Sequence, residues 1–290
     1  MKHSLTMTLI LLATFLVAQL IGVGILYKYI DAAKSAEAGK IQFKDLPIGE
    51  RPQTAEGTSF IPVIIAILIG TGLLFLLMKY NLTWVWKIWF LMAAFMALTI
   101  AWGAFIPATI AMILALIFSL WKTFKPNVWV HNITELFIYG GLAAIFVPMF
   151  NLFSVIILLL LISAYDAYAV WKSKHMITLA KTQAKANIFA GLMLPYKMAK
   201  IGKPKPGMKT TKVRTAILGG GDIGFPLIFA GVVLKEMGLW QSLLIPFGAS
   251  LGLAVLLWKG KENKFYPAMP FISAGCFIAL GLVWLIGLLL

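Results

Sequence analysis

Long apolar segments recur along the whole chain and limit its possible folds more than any other feature. A helix needs roughly 20 apolar residues to cross about 30 Å of hydrocarbon. Nine segments reach or approach that length: Leu5–Tyr27, Phe60–Met78, Val85–Phe105, Ile106–Leu120, Val128–Val147, Leu152–Val170, Ala216–Leu234, Leu239–Trp258 and Pro267–Leu290. Because the segments are continuous and not alternating, they exclude a β-barrel. We predict an all-α membrane protein, a bundle of nine transmembrane helices.

Composition and charge agree with that prediction. Hydrophobic residues make up 61% of the chain and charged residues 12%, which excludes a soluble globular enzyme. If the N-terminus is cytoplasmic, nineteen of the 25 Lys and Arg residues lie on the inner side, eleven of them in the connection Lys172–Arg214. We therefore expect a multi-pass protein of the cell membrane with its C-terminus outside. Its positive charge then faces anionic lipid, and we expect no nucleic acid partner.

Acidic residues inside the predicted spans are the candidates for chemistry, because burying a charge in a membrane is costly. Three acids qualify: Glu135, Asp166 and Asp222. Asp166 lies about 9 Å, and Asp222 about 12 Å, from the inner ends of their spans. Two carboxyls at one depth on consecutive helices can share a proton. Such a pair suits aspartyl hydrolysis, in which one carboxylate activates water and its protonated partner polarises the peptide carbonyl. A proton relay in a transporter fits the pair equally.

The residues around the two aspartates favour hydrolysis. The glycines Gly219–Gly221 directly precede Asp222 and forgo roughly 3 kcal/mol of helix propensity relative to alanine. Glycines allow close backbone approach and local unwinding, which an extended substrate requires. Tyr165 precedes Asp166, and Pro267–Met269 opens the ninth span on the same side. Each signal is weak alone, but their order and common depth make the combination specific.

In this order the three motifs resemble the presenilin and signal peptide peptidase family of GxGD intramembrane aspartyl proteases, particularly its archaeal presenilin-like members. The resemblance covers predicted helices six, seven and nine. It implies that Asp166 and Asp222 form the catalytic pair and that Met269 replaces the leucine of the family's Pro-Ala-Leu motif. The residues implied to bind substrate are Tyr165, Leu218, Gly219, Gly220, Gly221, Pro267, Ala268 and Met269.

The resemblance also implies the partners of the protein. Substrates would be transmembrane peptides or proteins within the lipid bilayer, cleaved without a cofactor or metal, and accessory subunits are not indicated. A cytoplasmic N-terminus is the presenilin-like orientation. We therefore expect single-span substrates that enter with the N-terminus outside.

The chain is predicted to divide into three parts. Residues 1–171 form a six-helix part with the first aspartate, 172–213 form the basic connection, and 214–290 form a three-helix part. Within the connection, Met176–Lys200 resembles an interfacial amphipathic segment. Lys209–Thr215 is predicted to be extended and to pair with an unwound substrate, with backbone near Pro267 completing the sheet.

Three alternatives remain at this point. A cation leak channel or a proton-coupled transporter could use the aspartates as a relay. A prepilin-type peptidase also carries GxGD, but nine spans and Pro267–Met269 argue against it. His131 and Glu135, four residues apart, could share a metal ion. Because no third ligand is near them, we interpret them as interfacial polar residues.

Overall fold

The computed structural model describes residues 4–125, 127–173, 188–195, 215–260 and 266–289. Its helices are α1 (Leu5–Tyr29), α2 (Ala32–Ala38), α3 (Phe60–Lys79), α4 (Thr83–Gly103), α5 (Ala108–Phe124), α6 (Val128–Phe146), α7 (Leu152–Ala167), α8 (Gly220–Met237), α9 (Leu239–Lys259) and α10 (Met269–Leu289). A 3-10 turn, Val147–Met149, follows α6, and a π-helical turn, Tyr168–Lys172, extends α7. Two strands, β1 (Gly191–Pro195) and β2 (Thr215–Gly219), complete the described structure.

Most of the helices are built to cross a membrane. Within the described ranges, seven are long and apolar enough: α1, α3, α4, α6 with its 3-10 turn, α7 with its π turn, α9 and α10. The predicted class, a multi-pass helical membrane protein, is confirmed, but the count of nine is not. Helix α5 has only 17 residues, and α8 carries Asp222, Lys235 and Glu236 within its 18 residues.

The predicted seventh span is partly wrong. It was expected to start at Ala216, but Ala216 lies in β2 and the helix begins at Gly220. The backbone of this short apolar segment pairs with another strand, and Gly219 then provides the extended residue before the helix. This boundary puts Asp222 in the first turn of α8.

Glycines bring the central helices into close contact. Helix α1 packs against α6, α8 and α9. A β-carbon on Gly140 of α6 would lie 3.1 Å from the Cα atom of Gly22 on α1. On the next residue, Gly141, a β-carbon would overlap the carbonyl oxygen of Ala97 in α4. Small residues at such positions let backbones meet, as membrane helices require.

Loop contacts close one end of the bundle, which we call the loop end. The Arg51 Nε donates to the carbonyl oxygen of Ala144 at the end of α6, at 3.1 Å. Lys235 near the end of α8 donates to the carbonyl of Phe150 at 3.0 Å and pairs with Glu56 at 3.1 Å. The opposite end of the bundle carries the end of α7 and the start of α8 and α10.

The two strands form an antiparallel pair in front of α8. Gly191 lies opposite Gly219, and Pro195 lies opposite Thr215. Gly220 N–H also donates to the carbonyl of Ala190 at 3.1 Å, which extends the pairing to the first residue of the helix. The segment before the aspartate is therefore held as a strand.

The structure describes only part of the predicted connection. The described part of the expected amphipathic segment, residues 188–195, contains β1, in which residues 193–195 are partly exposed, and Ala190 before it is exposed. Ile188, Phe189 and Leu192 are buried, because their side chains pack with the helices while the strand pairs. The remainder of Met176–Lys200 and residues 209–214 lie outside the described residues.

The contact between α4 and α6 predicts the effect of one methyl group. Gly141→Ala should lower the free energy of unfolding by about 1–3 kcal/mol, because its β-carbon overlaps the Ala97 carbonyl. Thermal unfolding in detergent would measure this. Gly24→Ala is the control, since nothing beyond its chain neighbours and the backbone of its own helix lies within 4 Å of its β-carbon position. Equal midpoints for the two variants would contradict the packing.

Candidate active site

Asp166 receives hydrogen bonds from the start of α10. Its side chain lies in the last turn of α7 and is only 8% exposed. The Oδ2 atom accepts from the backbone N–H of Met269 at 3.0 Å, and the backbone of Ala268 also hydrogen-bonds to this carboxyl group. The first N–H groups of a helix have no partner within it and favour a carboxylate. The Pro-Ala-Met segment is thus a donor to one of the two predicted aspartates.

A second contact joins the same two helices one turn deeper. The Ser163 hydroxyl donates to the Ser273 hydroxyl at 2.9 Å. Ser163 lies three residues before Asp166, and Ser273 lies four after Met269. The two contacts together fix how α7 and α10 are rotated against each other.

Asp222 occupies the first turn of α8, which packs against α7. The two helices bring their aspartates to the same end of the bundle, opposite the loop end. Asp222 is half-buried. A β-carbon on Gly219 would lie 3.1 Å from the Asp222 Oδ2 atom, so the glycine makes room for this carboxyl group.

Tyr139 of α6 explains the glycine at position 220, between Gly219 and Gly221 of the GxGD pattern. A β-carbon on Gly220 would lie 2.6 Å from the Tyr139 hydroxyl oxygen and 3.0 Å from its Cε1 atom. The tyrosine therefore occupies the space that a side chain at position 220 would take. Its hydroxyl donates to the Glu135 carboxylate.

Sequence reasoning missed a buried network on α5 and α6. Lys122 Nζ lies 2.6 Å from Glu135 Oε1 and 3.1 Å from the Thr134 hydroxyl. It also lies 3.3 Å from Nδ1 of His131. The interpretation of His131 and Glu135 as interfacial residues is wrong, because both are buried and hydrogen-bonded. Lys122, counted as an inner-side cation, is buried as well.

The same face of α6 contacts the backbone of β1. His131 Nε2 lies 2.7 Å from the carbonyl oxygen of Gly191, whose N–H donates to Glu135 Oε2 at 3.0 Å. Asn132 donates to the Met193 carbonyl at 2.7 Å and accepts from its N–H at 2.9 Å. Side chains of α6 therefore hold β1 along its outer edge.

Gln19 is a further polar residue within the apolar spans, and acidity alone does not identify it. It is fully buried on α1, and its Nε2 donates to the carbonyl of Ile223 at 2.7 Å. Ile223 follows Asp222 directly, so α1 supports the first turn of α8. An uncharged amide in an otherwise apolar span was the available signal.

The other predicted substrate-binding residues lie near the two aspartates in different surroundings. Leu218 is buried in β2 opposite Leu192, and Pro267 is buried before α10. Tyr165 is partly buried beside Asp166.

Among the residues that the structure describes, no three His, Cys, Asp or Glu side chains are grouped so that they could hold a metal ion.

Comparison with known proteins agrees with this geometry. The family described as signal-peptide peptidase, presenilin aspartyl protease matches residues 29–290. A solved structure of a presenilin family intramembrane aspartate protease in a P2 crystal form has a TM-score of 0.64 and 19% sequence identity, covering 99% of each chain. Another, in a C222 form, has a TM-score of 0.60 and 19% identity, covering 93% of this chain and 94% of the other. No curated protein matches the chain.

The apolar helices and the family match together define a multi-pass membrane protein of an aspartyl protease family. The chain belongs to the signal peptide peptidase and presenilin family of aspartyl proteases.

The contact of Tyr139 with the glycine motif predicts which glycine tolerates a methyl group. Gly220→Ala should reduce peptide cleavage about tenfold or more, because the tyrosine must shift and its hydroxyl must leave Glu135. Gly224→Ala should cleave at nearly the normal rate, since its β-carbon lies 3.6 Å from the same ring. Initial rates with a transmembrane peptide in detergent would compare them. Equal rates would show that Tyr139 does not constrain position 220.

Proposed function

We propose that this chain hydrolyses peptide bonds of transmembrane segments, with Asp166 and Asp222 activating the attacking water. The observation that carries the proposal is the hydrogen bond from Met269 N–H to Asp166 at the end of α7, a helix that packs against α8. One carboxylate takes a proton from water while the protonated partner polarises the scissile carbonyl. The roles then reverse as the leaving amine is protonated.

The backbone around Asp166 supports this chemistry. A carboxyl group that must exchange protons with water and substrate needs a fixed orientation. The N–H groups of Ala268 and Met269 bind it from the side of α10. Its remaining oxygen lone pairs are then available for water and substrate.

The substrate would lie as an extended strand along β2. Peptide hydrolysis requires this, because a helical substrate keeps its scissile carbonyl in its own hydrogen bonds. On β1, the outward backbone groups of Gly191 and Met193 are bound by α6. We infer that the substrate pairs with the opposite edge, at β2, where the Ile217 side chain is 47% exposed. As the sequence predicts, backbone near Pro267 would complete the sheet that the substrate joins. The end of the connection 172–213 would be extended and pair with the substrate.

The two aspartates give the most direct prediction. Asp166→Asn and Asp222→Asn should each reduce cleavage of a transmembrane peptide by at least about a thousandfold. An asparagine at 166 keeps an oxygen that can accept from Met269 N–H, so the variant should unfold at nearly the normal temperature. Cleavage would be measured in detergent, together with inhibition by a hydroxyl-bearing mimic of the tetrahedral intermediate.

The exposed acid Glu37 supplies the control, and Glu37→Gln should cleave normally. Ion flux into vesicles without peptide cleavage would contradict the proposal and favour a channel or a proton-coupled transporter. Full cleavage by either asparagine variant would remove that aspartate from the mechanism.

The orientation predicts which cysteines can be labelled from outside. Cys276 is buried and should stay unlabelled. With a cytoplasmic N-terminus, Ala38→Cys in the exposed α2 should react with an impermeant maleimide on intact cells. Lys125→Cys, exposed after α5, should react only after the membrane is permeabilised. The reverse pattern would invert the protein and, with it, the expected direction of substrate entry.

A further inference from the structure

The ion pair between Lys122 and Glu135 is unusual for its burial. Its atoms lie 2.6 Å apart, and the two side chains are 0% and 1% exposed. Replacing such a pair by well-packed apolar residues often leaves stability unchanged or raises it. A gain in stability is therefore a weak explanation for this ion pair. The other contacts of Glu135 suggest a different role.

The second oxygen of Glu135 connects two parts of the site. Oε2 accepts from the N–H of Gly191 at 3.0 Å and also from the Tyr139 hydroxyl. Gly191 belongs to β1, whereas Tyr139 packs against Gly220 at the start of α8. A single carboxylate thus binds the strand pair and, through the tyrosine, the helix that carries Asp222.

Asn132 strengthens the connection to β1. Its side-chain amide makes two hydrogen bonds to the backbone of Met193, at 2.7 and 2.9 Å. Met193 lies opposite Ile217 of β2, and Gly191 lies opposite Gly219. The contacts from α6 therefore reach Ile217, Gly219 and Gly220, which precede Asp222 by two to five residues. Contacts that converge in this way resist movement of the strand pair relative to the carboxyl group.

We propose that Asn132, Glu135 and Tyr139, with Lys122 neutralising the buried carboxylate, form a positioning network, the α6 clamp. The clamp holds β1 on α6 and the first turn of α8 against Tyr139. It thereby fixes the edge of β2 relative to Asp222 and sets which substrate bond is cut. The proposal rests on the proposed function, since it assumes that the substrate pairs with β2.

Two double variants test the clamp with the charge removed in both. Lys122→Met with Glu135→Gln keeps an oxygen that can accept from Gly191 and Tyr139. Lys122→Met with Glu135→Leu is close in size but cannot accept. Because each lost hydrogen bond weakens the clamp, the leucine variant should cleave at least about tenfold more slowly than the unchanged protein. The glutamine variant should cleave within about threefold of the rate of the unchanged protein.

The position of cleavage distinguishes positioning from simple support of the fold. Mass spectrometry of the products should find the normal cleavage sites for the glutamine variant. It should find additional sites for the leucine variant, because a loosened strand edge binds the substrate in more than one register. Normal rate and sites in the leucine variant would overturn the proposal. Equal losses in both variants would also overturn it, because charge and not hydrogen bonding would then matter.

Asn132→Ala tests the clamp without touching the buried charges, in case the leucine variant does not fold. It should add cleavage sites and speed hydrogen exchange of the backbone in residues 188–195, at a nearly unchanged unfolding temperature. Ile133→Ala, on the neighbouring 46% exposed side chain, is the matched control and should behave normally. Normal sites and exchange in Asn132→Ala would refute the clamp. If the aspartate variants remained active, the proposed function would fail separately.

Discussion

A carboxyl group inside a membrane needs hydrogen-bond donors, and Asp166 obtains them from the start of α10. The donors are available because the first backbone N–H groups of a helix have no partner within that helix. This contact brings the end of α7 to the beginning of α10, and the bond between Ser163 and Ser273 fixes the same helices one turn deeper. The packing of α8 against α7 then adds the second aspartate to this end of the bundle.

The same constraint explains the polar residues on α5 and α6. Glu135 is fully buried and is satisfied by a lysine, a tyrosine and a backbone N–H group. The backbone group belongs to Gly191, so the carboxylate also satisfies one edge of β1, which has no neighbouring strand on that side among the residues that the structure describes. Unpaired backbone is costly away from water. Side chains of α6 take the place of a third strand at β1. The edge at β2 is the one that we propose for an extended substrate.

Hydropathy predicted the helical class and most helix positions because each apolar run is long. It failed at Ala216, where an apolar segment too short for a separate signal pairs as a strand and delays the helix to Gly220.

The two aspartates and the Pro-Ala-Met segment could be picked out because they are unusual residues in apolar runs. The clamp could not be found in this way. Spacing put His131 and Glu135 on one face, but their partners Lys122 and Gly191 come from other elements, 56 residues apart in the case of Glu135 and Gly191. Gln19 carries a comparable signal, an amide in an apolar run, which a criterion of charge alone does not detect.

The most direct measurement is a structure of the protein bound to a transmembrane peptide mimic that carries a hydroxyl in place of the scissile bond. The account predicts that this hydroxyl lies within hydrogen-bonding distance of both Asp166 and Asp222, and that the peptide runs extended beside β2. A hydroxyl bound by only one aspartate, with the other facing a separate cavity, would contradict the two-carboxylate mechanism.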